Sequence, residues 1–102
     1  MPVDHDRIRR ESNRWNCLLT LKNAQPLGVW EELILDTLRA ITPDITKKEV
    51  REIMDYLQEQ GYVRLKKKPH GRWHGKLTAN GLHLLDYDID CPPGISRPEK
   101  YW

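Results

Sequence analysis

An α+β domain is predicted: a three-helix core, a two-stranded β hairpin, a short C-terminal helix and a tail. Three observations carry this prediction. A strongly punctuated amphipathic helix occupies about Thr46 to Gln60. Two short runs of alternating character follow it, separated by Pro69-His70-Gly71. Then Leu77-Thr78 opens a second capped apolar segment. The apolar period changes from that of a helix to that of a strand and back again within about forty residues.

Taken in order, residues 1–7 read as a flexible arm. The approach to the first helix carries Arg7, Arg9, Arg10 and Arg14, diluted by Asp4, Asp6 and Glu11. A helix is predicted over Ile8–Asn23, with Ile8, Trp15, Leu18, Leu19 and Leu21 as its apolar residues. Pro26 and Gly28 break it. A second helix is expected from Val29 to about Ala40, with Trp30, Leu33, Ile34, Leu38 and Ile41 facing inward. Trp15 and Trp30 are read as core residues. Pro43 ends any continuation.

The third helix has the clearest signals. Thr46 is an N-cap, Glu49 stands three residues later as in a capping box, and Ile45 can staple to Val50. Val50, Ile53, Met54 and Leu57 make one apolar stripe. Gly61 supplies a left-handed stop. Tyr62 to Lys66 then reads as a half-buried strand, and Trp73 to Leu77 as its returning partner. Thr78 caps a last helix carrying Leu82, Leu84 and Leu85, with Leu77 able to staple to Leu82. The segment 87–102 contains three prolines and a glycine, so it is no continuous helix. Ile89, Ile95, Tyr101 and Trp102 point to a tail that packs on the domain or on a partner.

The residues Leu57, Gly61, Tyr62 and Val63, followed by Leu77, Thr78, Gly81, Leu84 and Leu85, resemble the winged helix-turn-helix regulators of the MarR, PadR and ArsR kind. Small winged-helix proteins of phage and prophage genomes are similar. The likeness covers about forty residues well, and the first 44 only in helix order. It implies a winged-helix domain over 8–86, a recognition helix over about 46–60 and a wing over about 63–77. It also implies transcription regulation through double-stranded DNA. A homodimer through the first helix and the C-terminal tail is the expected assembly, because such regulators resemble two-fold readers of palindromic sites.

Charge fits this expectation in the hairpin and strains it in the helix. The net charge is only +2, but Gly61 to Leu77 holds six basic residues and no acidic one. Lys66, Lys67, Lys68, His70, Arg72 and Lys76 are therefore the candidate phosphate contacts, since lysine and arginine supply most nucleic-acid affinity without reading sequence. Lys47, Lys48 and Arg51 occupy the first turns of the third helix, from which base edges are reached. Arg51 is the candidate guanine reader. From Lys47 to Glu59, however, three basic residues face four acidic ones. That mixture favours a rival reading: a winged helix serving as a protein-interaction module, or as an accessory subunit of a larger nucleic-acid assembly.

Other functions find little footing in the residues. No phosphate-cradling glycine loop, nucleophile motif or zinc-spaced ligand set is present, so neither enzyme activity nor a cofactor is expected. The histidines are scattered, and no Cys-x-Cys or Cys-x-x-Cys occurs, so no metal site is expected. Cys17 and Cys91 read as one buried thiol and one tail thiol in a reduced compartment. No run of 18 apolar residues and no apolar leader core is seen, so a cytoplasmic protein away from membranes is expected.

Overall fold

The computed structural model describes residues 3–100. Four helices pack around a small antiparallel sheet. Helix α1 spans His5–Asn23, strand β1 Val29–Trp30, helix α2 Glu31–Arg39, helix α3 Lys47–Glu59, strand β2 Val63–Lys67, strand β3 Trp73–Leu77 and helix α4 Ala79–Leu85. The sheet order is β1-β3-β2, both pairings antiparallel.

Helix α1 starts three residues before the expected Ile8. Asp4 caps it, accepting from the Arg7 backbone N–H at 3.0 Å. Residues 5–7 of the expected arm are therefore helical, because an aspartate ahead of the first turn satisfies an otherwise orphaned donor. Trp15, Cys17, Leu18 and Leu21 turn into the core, whereas Ile8 and Leu19 remain on the surface.

The second helix begins later than the sequence suggests. Val29 pairs with Gly75 and Trp30 with His74, so these two residues form a third strand. The sheet thus has three strands where a two-stranded wing was expected. Helix α2 then buries Glu31, Ile34 and Leu38 on one stripe. At 100° per residue Leu33 falls on the far side from Glu31, and it is exposed. Ile41 lies beyond the Ala40 C-cap and is exposed as well. The inward face expected for this helix therefore loses Trp30, which is half-buried in β1 and not in the core, as well as Leu33 and Ile41, and gains a carboxylate.

Helix α3 follows its punctuation closely. Thr46 accepts from the Glu49 backbone N–H at 3.2 Å, and Ile45 and Val50 are both buried beside that cap. Both carboxylate oxygens of Glu49 are held by Arg9 of α1, at 2.8 and 2.9 Å. The Thr46 half of the capping box is therefore formed, while the Glu49 side chain bridges to α1 and does not return to the Thr46 N–H. Gly61 has φ +84°, the left-handed stop that a side chain disfavours. Thr78 closes the far end, accepting from the Gly81 backbone N–H and donating to the Gly61 carbonyl. One threonine hydroxyl thereby caps α4 and fastens it to the end of α3.

Residues 87–100 pack along the body. Ile95 is buried, and the Ser96 backbone N–H donates to the Glu11 carbonyl of α1. Arg97 donates to the carbonyls of Leu84 and Ile89 and lies over the Tyr87 ring. Arg14 stacks 3.5 Å from the Tyr56 ring centre and donates to the Gly94 carbonyl. Tyr101 and Trp102, also expected to pack, lie outside the described residues. No described helix is long and apolar enough to cross a membrane.

Candidate nucleic-acid interface

The strand register sorts the hairpin's cations onto two faces. Successive strand side chains point to opposite sides. Val63 and Leu65, facing Leu77 and Gly75, turn toward α1 and α3. Arg64 opposite Lys76, and Lys66 opposite His74, therefore line the outer face of the sheet. Trp30, paired with His74 from the other side, extends that face, its ring 5.1 Å from the imidazole.

Two other hairpin cations are engaged. Lys67 pairs with Asp55 of α3 at 3.0 Å and lies over the Trp73 ring at 4.2 Å. Arg72, on the turn between the strands, pairs with Glu32 of α2 at 2.9 Å and stacks 4.2 Å from the Trp30 ring centre. His70 lies beside the same ring at 6.0 Å, and its Nδ1 accepts from the Arg72 backbone N–H. Lys68 sits at the exposed end of the hairpin, its backbone N–H donating to the Arg72 carbonyl.

The candidate base readers on α3 are also spent internally. Arg51 makes a fork on Glu31, Nε to Oε2 at 2.7 Å and Nη2 to Oε1 at 2.8 Å. Its Nη2 also donates to the Gly71 carbonyl, and its guanidinium faces Trp73. Lys47 reaches the same carboxylate at 3.2 Å. Glu31 is only 1% exposed, so it needs this double cationic partnership to stay ionised. The Arg51 hydrogen bonds, ahead of the opposing effect of burial, hold its carboxyl below the usual glutamate range. Arg72 does the same for Glu32.

What α3 leaves to solvent is acidic. Lys48, Glu52, Asp55 and Glu59 recur at helical spacing along its outward side. Lys48 borders a cleft of about 480 Å³ between α1 and α3, whose rim also carries Arg10, Arg14, Asp6 and Glu52. Its charge is mixed and points to no single ligand.

Nine sequence candidates therefore fall into separate sets. Lys47, Arg51, Lys67 and Arg72 are paired with carboxylates of α2 and α3. Lys66 and Lys76 share the outer sheet face. Lys68 and His70 sit at the hairpin end, and Lys48 stands alone on α3. Arg64, Lys66, Lys68 and Lys76 have no ion-pair partner among the described residues. Arg64 was absent from the sequence candidates, although its alternation with Val63 and Leu65 already marked it as outward. Among the described residues, no group of three or more histidine, cysteine or acidic side chains is placed to hold a metal. Cys17 is buried, which pushes its thiol up to about 12. Cys91 is half-buried and unpaired.

No protein-family model matches the chain, and neither does any curated protein sequence.

Proposed function

We propose that the chain is a small DNA-binding winged-helix protein of the regulator kind, with its phosphate contacts on the β2–β3 hairpin. The element order and the β1-β3-β2 sheet support the winged-helix reading. The observation that carries the functional reading is the set Arg64, Lys66, Lys68 and Lys76. These are four cations without ion-pair partners among the described residues, on a hairpin that contains no carboxylate. An edge hairpin needs a lysine or two against unwanted pairing, not this many. In this reading Arg51 and Lys47 organise the fold and do not read bases.

The test is duplex affinity measured across salt concentrations. Four neutralised phosphates give a slope of log affinity against log salt of about −3.6, at roughly −0.9 each. Absence of binding to any duplex at low salt would sink the reading.

A specific observation favours the second reading, a protein-interaction module. The outward stripe of α3 bears Lys48 beside Glu52 and Glu59, with Asp55 already paired to Lys67, a mixed-charge surface that suits a protein partner better than a phosphate backbone.

A further inference from the structure

We propose that Arg64 and Lys76 form a phosphate clamp, so that DNA lies against the outer sheet face and not against α3. The inference rests on the DNA-binding reading and names the contact within it. Arg64 and Lys76 are register partners, directly opposite across β2 and β3. Directly opposed side chains sit close enough to interact strongly, and like charges there oppose pairing of the strands. Neither cation has an ion-pair partner among the described residues to relieve that repulsion. Both are exposed.

The pair also borders a built notch. Arg64, Lys76, Leu77, Thr78 and Ala79 enclose a cavity of about 220 Å³, and among the described residues no carboxylate lines it. A water molecule's share of volume is about 30 Å³. The notch therefore admits a group of several non-hydrogen atoms, the size of one backbone phosphate. An anion held there converts a destabilising cation pair into two charge-assisted contacts. Lys66, two residues from Arg64 on the same face, stands ready for the neighbouring phosphate. The other hairpin cations Lys67 and Arg72 already have carboxylate partners.

The test compares wild type with Arg64→Gln, Lys76→Gln and the double variant, by fluorescence anisotropy on a labelled duplex at several salt concentrations. Glutamine keeps most of the aliphatic stem while removing the charge. Each single change should lower affinity about eightfold at 0.1 M salt, which is 0.1 raised to the power −0.9. Each should flatten the salt slope by about 0.9. The double variant should at the same time melt about 1–4 °C higher, because an opposed like-charge pair is gone. Weaker binding together with higher thermal stability is a combination that a misfolded variant cannot produce. If the double variant binds as wild type does, the clamp is wrong while the DNA reading survives. If wild type binds no duplex at all, the DNA reading fails and the clamp falls with it.

Discussion

Glu31 shows how one residue redirects a surface. Its carboxylate is buried and receives both Arg51 and Lys47, which ties two cations of α3 to α2. Glu31→Gln leaves a neutral acceptor in place of an anion and weakens charged hydrogen bonds at a buried site. The expected loss is about 2 kcal/mol, measured by urea unfolding. It also releases Arg51 and Lys47; if DNA lies on the outer sheet face as proposed, duplex affinity should stay unchanged, and a rise would place α3 against the duplex instead. The pH dependence has a definite sign. Glu31, Glu32 and Asp44 all have carboxyls held below their ordinary values by arginine partners. Their stabilisation is fully present above the ordinary glutamate value of 4.5 and is lost as the pH falls through the lower folded values. Glu31→Gln should accordingly blunt the acid loss of stability below about pH 4.5. The signal for Glu31 was in the sequence: it is in phase with Ile34 and Leu38 on an apolar stripe. A carboxylate there reads as surface until its partner, twenty residues on, is known.

At the scale of elements, legibility followed local chemistry. Helix α3, the hairpin and α4 announced themselves through Thr46, Gly61, Gly71 and Thr78, residues whose caps and turns are made within a few positions. Strand β1 did not. Two residues are too few to display alternation, and Val29-Trp30 becomes a strand only because β3 returns beside it. The division of the hairpin cations between two faces was implicit in the alternation of Arg64, Lys66 and Lys76. What alternation could not give was the pairing of Lys67 with Asp55 and of Arg72 with Glu32, which are contacts between distant parts of the chain. The junction of α4 with α3 makes a further prediction. A Cβ on Gly81 would strike the Tyr62 carbonyl oxygen and lie 2.6 Å from Leu77 Cδ1. Backbone cannot yield as a flexible side chain does, so Gly81→Ala should destabilise by about 1–3 kcal/mol in chemical denaturation. A neutral result would mean that α4 can move off the end of α3.

For the molecule as a whole, the segment after α4 is part of the core assembly. Ile95 is buried among residues of the main cluster, and Arg97 binds the carbonyls where α4 ends. A domain of this size has modest apolar burial, so one anchored isoleucine is a sizeable share of its stability. Ile95→Ala should cost about 2–3 kcal/mol, seen as a lower denaturation midpoint with an unchanged slope. A change under about 0.5 kcal/mol would show that the segment rests on the body without contributing to it. Charge is also distributed at this scale. Asp86, Asp88 and Asp90 follow α4, with Asp86 near Lys22 and Asp88 near His83, while Arg64, Lys66 and Lys76 share the outer sheet face.

The hydrogen bond from Ser96 to Glu11 has an engineering corollary. It brings residues near the two extremities of the described chain side by side, with Asp4, Arg7 and Ser96 around one shallow hollow. Extremities that meet in this way make a domain suited to insertion within a loop of another protein, entering and leaving through a single seam. The hairpin, contributed by the middle of the sequence, would then project from the host as a grafted module.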